Sequence, residues 1–274
     1  MKRLLIAGYG DIARRALPLL TTRFTVTLLS RQYGMDLDRP QTLRLEPAQA
    51  LLHCAPPPGS GIADTRTGNL LAALDGIPER VVYLSTSGVY GDCQGERVDE
   101  SRAPNPQTAR ARRRMDAENR LRAWATRHRS KLVILRVPGI YASDRLPLAR
   151  LRAGTPALRA ADDVYTNHIH ADDLAAIAAR ALEHDAPAGV YNVADDSELC
   201  MGDWLDLVAR RRGVEPPPRR PRALIAQDVS AERLSFMSES RRLDNRRMKA
   251  LLGIRLRYPT VHEGLRHEHA VGID

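Results

Sequence analysis

The sequence predicts an α/β protein with a doubly wound parallel sheet and a smaller C-terminal lobe. Three observations support this prediction. Short apolar runs alternate with segments of helical periodicity, as in chains whose parallel strands are joined by helices. A glycine-rich segment, residues 8–10, stands where the first strand meets the first helix. The length of 274 residues suits one large domain with an appendage.

Each predicted strand is a short apolar run that ends at or near a glycine, a proline or a polar residue. The third run is stopped by three consecutive prolines, Pro56 to Pro58, and the fifth by Pro138 and Gly139. The predicted strands span residues 3–7, 24–29, 50–55, 81–84, 132–137, 168–169 and 190–193.

The predicted helices carry apolar residues at helical spacing. Pro18 lies inside the first of them, and we expect it to kink or shorten that helix. Gly76 and Pro78 end the second helix, and Gly253 caps the last. The predicted helices span residues 12–20, 64–74, 108–129, 172–182, 204–212 and 246–252.

The alternation of strands and helices continues to about residue 145 and then changes character. We therefore expect residues 1–145 to form the main domain. Residues 146–274 would form a smaller substrate-binding lobe, with part of the chain returning to the sheet. A proline-rich stretch at 213–222, GVEPPPRRPR, is expected to be a connection within this lobe.

The composition excludes several classes of protein. A hydrophobic fraction of 43% with 27% charged residues is typical of a globular chain and not of a disordered one. The net charge is +9, and only three of the basic residues are Lys. The Arg residues are dispersed and aromatic residues make up only 4%, so nucleic acid is not expected as a partner.

No apolar run approaches the roughly 18 residues that a membrane span needs. The first residues, MKRLLIAGYG, lack the pattern of a signal peptide. Cys54, Cys93 and Cys200 are far apart and have no zinc spacing. His168 and His170 could be metal ligands, but no carboxylate stands at metal spacing beside them, so we predict no metal site. A reducing cytoplasm is the simplest setting for such cysteines.

Residues 8–13, GYGDIA, fit G-x-G-x-x-A, a variant of the dinucleotide-binding fingerprint. Gly8 would allow a tight turn, and Gly10 would let the backbone approach a diphosphate. The following helix would present its N-terminal N–H groups to that diphosphate. The predicted cofactor contacts from this segment are Gly8, Tyr9, Gly10, Asp11 and Ile12.

The end of the second strand bears on the choice of cofactor. NAD-selective sites place Asp or Glu there to bind the ribose hydroxyls. Here Ser30 and Arg31 follow the strand, and a guanidinium suits a 2′-phosphate. We therefore predict NADP in preference to NAD. The alternative is that Arg31 is a solvated surface residue.

Four later segments accompany the fingerprint in order: STSGVYG at 85–91, RVPGIY at 136–141, HIHADDLA at 168–175 and YNVA at 191–194. Together they resemble the short-chain dehydrogenase/reductase superfamily, most closely its extended and atypical branch of NAD-dependent epimerases and dehydratases. The resemblance covers roughly residues 2–265 and implies a Rossmann sheet with an NAD(P) site. Under it, further candidate cofactor contacts are Ala55, Pro56, Ser85, Arg114, Pro138 and Gly139.

The chain departs from this superfamily at the catalytic pair. There, a Tyr exchanges a proton with the substrate, a Lys four residues later assists it, and a Glu follows. With Glu118 at the Glu position, Arg114 stands at the Lys position and Arg110 at the Tyr position. No Tyr-x-x-x-Lys occurs in the chain. An Arg, with a pKa above about 12, cannot shuttle protons near neutral pH.

Two hydroxyl groups are the candidate catalytic residues on the substrate side, Thr86 and Tyr141. Thr86 matches a family Ser/Thr that binds the reacting oxygen, although it could equally cap a strand end. Tyr141 follows the nicotinamide-side segment, although its ring could instead pack between the lobes. The other candidate proton donors are Tyr90, Tyr165, His168 and His170. His170 is more simply explained as ordering Asp172 or Asp173 at the next helix.

Two functions remain open from the sequence. The first is an NADP-dependent oxidoreductase or epimerase acting on a small molecule, such as a carbonyl compound or a sugar nucleotide. Ser87 and Gly88 stand where sugar-nucleotide dehydratases carry Asp and Glu, which argues against dehydration. The second is a non-catalytic NADP(H)-binding sensor or scaffold. In either case the helices around 64–75 and 108–129 are a candidate homodimer interface, because the resemblance implies one there.

Overall fold

A parallel sheet of six strands forms the centre of the computed structural model, which describes residues 1–228, 234–235 and 237–267. The strands of the described residues are β1 (Lys2–Ala7), β2 (Phe24–Leu29), β3 (Ala50–His53), β4 (Arg80–Thr86), β5 (Arg97–Val98), β6 (Lys131–Val137), β7 (Gly139–Tyr141), β8 (Ala157–Leu158), β9 (Tyr165–Thr166), β10 (His168–His170), β11 (Gly189–Asn192), β12 (Leu199–Cys200), β13 (Arg219–Arg220) and β14 (Arg242–Leu243). The central sheet has the order β11-β6-β4-β3-β1-β2, and every pairing in it is parallel. The predicted fold class is thus confirmed.

Helices cover both faces of this sheet. The helices of the described residues are α1 (Asp11–Thr21), α2 (Thr65–Ala73), α3 (Ala109–His128), α4 (Leu148–Arg152), α5 (Ala171–Ala181), α6 (Met201–Arg212), α7 (Arg222–Asp228), α8 (Arg246–Leu252) and α9 (Val261–His267). Along β1, Leu4 and Ile6 pack in one cluster with α1 and α5, whereas Leu5 packs in a second cluster with α2 and α3. This alternation is the two-residue period of a strand that is buried on both faces.

The strand order reverses between β1 and β3. The chain first places β2 on one side of β1 and then crosses to place β3 on the other. In doubly wound sheets the crevice at such a switch point, outside the carboxyl ends of the strands, is where ligands bind. Residues 8–10 follow β1 and residues 54–56 follow β3, so the glycine-rich segment lies at this crevice.

The helix after β1 matches its predicted bounds to within one residue at each end. It continues through Pro18 to Thr21, so Pro18 does not shorten it. The proline removes one backbone bond near the C-terminal end of the helix. Ala16 and Leu20 are buried on either side of it, and their packing on the sheet outweighs that loss.

Other parts of the fold differ from the sequence prediction. The third strand ends at His53, because the N–H groups of Cys54 and Ala55 both turn back to the carbonyl of Ala7 (2.8 and 2.9 Å). Helix α6 begins at Met201, three residues before the predicted start. The proline-rich stretch contains β13, which pairs with β8, and so it is not only a connection.

The chain beyond residue 145 contributes to the sheet and also to a separate cluster. Strand β11 pairs with β6 at the edge of the sheet, and α5 packs beside α1. A further apolar cluster joins Tyr141, Trp204 and Leu265. Among the described residues, no helix combines the length and the apolar character that crossing a membrane requires.

Candidate functional site

A pocket of about 250 Å³ opens at the crevice between β1 and β3. Its walls come from three loops, those after β1, β2 and β3, and from one side chain of α2. Seven of the predicted cofactor residues meet there: Gly8, Tyr9, Gly10, Ser30, Arg31, Ala55 and Pro56. The sequence did not predict the other residues of the wall, Leu29, Met35, Asp36, Leu37 and Arg66.

The two glycines of the fingerprint have different roles. Gly8 has a φ of +93°, and a Cβ there would lie 2.5 Å from the backbone nitrogen of Ala55. Its absence of a side chain is therefore required by the fold. Gly10 has nothing within 4 Å of a Cβ position, and it begins α1 without a side-chain cap. An open cradle beside uncapped helical N–H groups fits a diphosphate.

The two residues after Gly10 can offer only backbone groups to a diphosphate. The Asp11 carboxylate accepts from Arg15 and from Arg145, both at 2.9 Å. Ile12 is buried in the apolar cluster beneath α1. Their predicted contacts with a cofactor thus depend on the N–H groups at the start of the helix.

Charges of both signs lie at the β2 end of the pocket. Arg31 is exposed, and Asp36 lies beside it in the wall. Arg66 forms a bidentate ion pair with Asp38 at 2.8 and 2.5 Å. The hydrogen bond from Arg66, together with the charges of Arg66 and Arg31, lowers the pKa of the Asp38 carboxyl. Among the described residues, no carboxylate forms a hydrogen bond with the guanidinium of Arg31. A phosphate that enters the pocket at this end could therefore contact that guanidinium.

Arg114 reaches the carboxyl end of β4 from α3. Its Nη1 donates to the carbonyl of Leu84 at 2.8 Å and to the hydroxyl of Tyr83 at 3.1 Å. Burial raises the pKa of Tyr83 to about 12 and lowers the pKa of His53 to about 3, the latter aided by the charge of Arg114. The guanidinium of Arg114 therefore occupies this end of the cleft. Neither Tyr83 nor His53 changes its protonation state near neutral pH. Arg110 lies one turn before it on the same face of α3.

Ser85 belongs to a buried ionic network. Its hydroxyl donates to Glu118 at 2.6 Å, and Arg136 donates to both oxygens of the same carboxylate, at 3.2 and 2.8 Å. The guanidinium of Arg136 also stacks over Tyr90, whose hydroxyl donates to Asn192. This network joins α3 to three strands, and the hydroxyl of Ser85 is directed into it rather than to the pocket.

Thr86 ends β4 and is partly exposed. Its Oγ1 accepts from the N–H of Gly88 at 3.2 Å and so caps the turn Ser87–Tyr90. Among the described residues, the hydroxyl proton of Thr86 has no acceptor. Thr86 pairs with Val137 at the end of β6, and Pro138 then leads into β7. Gly139, the first residue of β7, is exposed, and its N–H donates to the carbonyl of Asn167 at 3.1 Å.

Tyr141 lies away from this edge, in the apolar cluster with Trp204. It is 1% exposed, and its hydroxyl donates to the carbonyl of Thr260 at 3.3 Å. Its ring contacts Trp204 edge-on at 5.5 Å. The catalytic role of Tyr141 stays a prediction, and to act on a substrate its hydroxyl would have to leave Thr260.

The remaining candidate proton donors have different surroundings. Burial lowers the pKa of His168 to about 3, so it is neutral at physiological pH. The Nδ1 of His170 accepts from the N–H of Asp172 at 3.2 Å at the start of α5, which confirms the role predicted for it. Tyr165 lies under the guanidinium of Arg242, 4.9 Å from its ring centre.

Comparison with known proteins locates the chain among its relatives. Residues 66–194 match the model of the NAD dependent epimerase/dehydratase family. The 3-diazoavenalumate denitrifying reductase of a Streptomyces species is 30% identical over 128 residues, 47% of this chain and 42% of the relative. The match thus spans less than half the length of this curated relative.

Solved structures resemble the chain along nearly its whole length. A functionally unknown conserved protein from Silicibacter pomeroyi is 28% identical with a TM-score of 0.78, covering 98% of this chain and 99% of the other. Human epimerase family protein SDR39U1 with NADPH has 19% identity and a TM-score of 0.74, covering 98% and 100%. MoeE5 in complex with UDP-glucose and NAD has 20% identity and a TM-score of 0.74, covering 97% of each chain.

Proposed function

We propose that this chain is a member of the NAD-dependent epimerase/dehydratase family, whose model matches residues 66–194, and that it is an NADP-dependent oxidoreductase acting on a small carbonyl substrate. The observation that carries the proposal is the pocket at the strand-order reversal, where the fingerprint glycines and Arg31 meet. The reductase activity of the Streptomyces relative supports the reaction class. Structural neighbours with NADPH and with NAD support a nicotinamide cofactor of either kind.

The cofactor would lie along the carboxyl edge of the sheet. The N-terminus of α1 beside Gly10 would hold its diphosphate, and Arg31 the 2′-phosphate. Arg114 would hold the nicotinamide ribose, and the backbone of Pro138 and Gly139 would border the nicotinamide. When bound, the nicotinamide supplies or accepts a hydride.

The chain's own groups would then act on the substrate oxygen. Hydride addition to a carbonyl carbon leaves negative charge on that oxygen, which the hydroxyl of Thr86 can stabilise by donating a hydrogen bond. The guanidinium groups of Arg110 and Arg114 favour the same charge but keep their protons. The proton that completes the reduction therefore comes from solvent. General acid catalysis typically adds about 10²–10⁴-fold, so the expected turnover is slow.

Two experiments test this proposal in order. Calorimetric titration with NADPH and NADH should show binding of both and a preference for NADPH. The protein is then screened for oxidation of NADPH with carbonyl compounds and sugar nucleotides, with Gly10→Val as the control without a cofactor site. Turnover that Gly10→Val lacks would support the oxidoreductase. Binding without turnover of any compound would support the non-catalytic sensor instead, and absence of binding would refute both.

A further inference from the structure

Arg66 bridges two of the three loops that enclose the pocket. Its Nε and Nη2 donate to the two carboxylate oxygens of Asp38, in the loop after β2. Its Nη1 donates to the carbonyls of Pro56 and Pro57, in the loop after β3, at 3.0 and 3.2 Å. The side chain is 20% exposed and is itself part of the pocket wall. One guanidinium therefore sets the distance between two walls that are not adjacent in sequence.

A second contact from the same helix holds the same loop. Asn69, three residues after Arg66, donates from Nδ2 to the carbonyl of Leu37 at 2.7 Å. Leu37 is 5% exposed and lines the pocket. The loop after β2 thus rests on α2 at two points one helical turn apart.

Helix α2 is itself fixed to the sheet and to α3. Its cap, Asp64, accepts from Thr67, and the N–H of Asp64 donates to Asp116 of α3 at 2.7 Å. Thr67 in turn contacts Nε2 of His53, at the end of β3, at 2.8 Å. These contacts are buried or partly buried, so the helix provides a rigid base for Arg66.

We propose that Arg66 is a positioning residue of the cofactor site, which holds the loops after β2 and β3 at the spacing that encloses an adenosine. The proposal rests on the proposed function, because the adenosine is that of the nicotinamide cofactor. Arg31 would contact the 2′-phosphate directly and so discriminate NADP from NAD. Arg66 would act equally on both, because every adenosine ligand needs the same two walls.

The test is the affinity of Arg66→Ala for NADPH, NADH and 5′-AMP, measured by calorimetry. Arg180→Ala is the matched control. Arg180 also forms a bidentate pair with a carboxylate, Asp185, at 2.7 and 3.0 Å, and donates to the Leu252 carbonyl. Its side chain is 25% exposed, close to the value for Arg66, and it lies outside the pocket. The two variants should lose similar and small amounts of stability, since exposed ion pairs contribute little.

We expect Arg66→Ala to lower the affinity for all three ligands by a similar factor, on the order of tenfold. Arg180→Ala should leave the three affinities unchanged. The ratio of NADPH to NADH affinity should remain that of the wild type. Unchanged affinities in Arg66→Ala, a loss confined to NADPH, or an equal loss in Arg180→Ala would each overturn the positioning role. If the wild-type protein binds neither dinucleotide, the proposed function fails, which is a distinct result.

Discussion

At Gly10 the cleft wall offers open backbone, with the side chains of Arg31 and Arg66 farther along the same pocket, whereas near the end of β4 the wall carries the guanidinium of Arg114 from α3. At the first end, the open glycine and the start of α1 match what a diphosphate needs. At the second end, Arg114 replaces the lysine expected from the sequence resemblance, and Arg110 replaces the tyrosine. Under the proposed function, Arg114 could keep the ligand-binding role of the lysine, because a fixed charge suffices for it. Arg110 could not keep the role of the tyrosine, because that role requires a proton to be released.

The comparison of the two ends shows that a fixed charge can preserve ligand binding but not proton transfer. A lysine at position 114 could bind ribose and also lower the pKa of a phenol, and an arginine can still do the first. No arginine can do the work of a phenol at position 110, because it does not release its proton near neutral pH. Binding and proton transfer should therefore respond differently to substitution at the two ends.

The largest expected effect separates the two glycines of the fingerprint. Gly8→Val should destabilise the fold by about 3 kcal/mol or more, because its φ is +93° and its Cβ would overlap the backbone of Ala55. Gly10→Val should unfold at nearly the wild-type denaturant concentration and yet lose measurable cofactor binding. Urea unfolding and NADPH titration of both variants provide the check. Normal NADPH affinity in Gly10→Val would contradict the assignment of the diphosphate to this loop.

The second effect is a change in cofactor preference at the same end. Arg31→Asp should reverse the preference from NADPH to NADH, with a loss of about 1.5–3 kcal/mol in NADPH binding, the range for a charged hydrogen bond. Calorimetry with both cofactors measures it, and Arg39→Asp, an exposed residue of the same loop that does not line the pocket, is the control. An unchanged preference would show that Arg31 is a solvated surface residue.

Two buried histidines, His53 and His168, predict how the stability of the fold depends on pH. Burial lowers the pKa of His53 and of His168 to about 3, whereas the unfolded chain has the ordinary value of about 6.5. Between these values the unfolded state binds more protons, so stability is present above pH 6.5 and is lost as pH falls toward 3. At pH 5 each histidine should contribute a loss of about 2 kcal/mol.

Urea unfolding of His168→Asn at pH 7.5 and pH 5 tests this dependence. Between pH 7.5 and pH 5, His168→Asn should lose about half of the stability that the two histidines together predict for the wild type. His184→Asn, at an exposed position, is the control and should behave as the wild type. An equal loss in His168→Asn would mean that His168 is protonated in the folded protein. The same pKa values predict no ionisation of His168 in a rate profile between pH 6 and 7.

A smaller effect distinguishes the two arginines of α3. Arg114→Ala should lower the affinity for NADPH by about tenfold, because the nicotinamide ribose would lose a charged partner. Arg110→Ala should leave NADPH affinity nearly unchanged, since under the sequence resemblance it stands at the Tyr position, on the substrate side. Calorimetry compares the two directly. Equal affinities in both variants would remove Arg114 from the cofactor site.

The sequence was sufficient for the parts of the molecule that depend on local pattern. Apolar runs bounded by Gly and Pro identified all six strands of the central sheet, and G-x-G-x-x-A placed the pocket at the correct junction. The boundaries differed where contacts made in the fold prevailed over local preference, as where the third strand ends at His53. Arg66 was not predicted because α2 carries no motif, and its importance depends on loops 10 and 28 residues away that only the fold brings together. The short strands β5 and β14 were not predicted either, because only the fold brings their residues together.

The most direct test of the account is a crystal structure of the protein with NADP⁺. We expect the 2′-phosphate to lie against Arg31, the diphosphate over Gly10 at the start of α1, and the nicotinamide ribose within hydrogen-bond distance of Arg114. The nicotinamide ring should then face the hydroxyl of Thr86. A cofactor that occupies the pocket between β1 and β3 but places its nicotinamide away from Arg114 and Thr86 would contradict the oxidoreductase proposal.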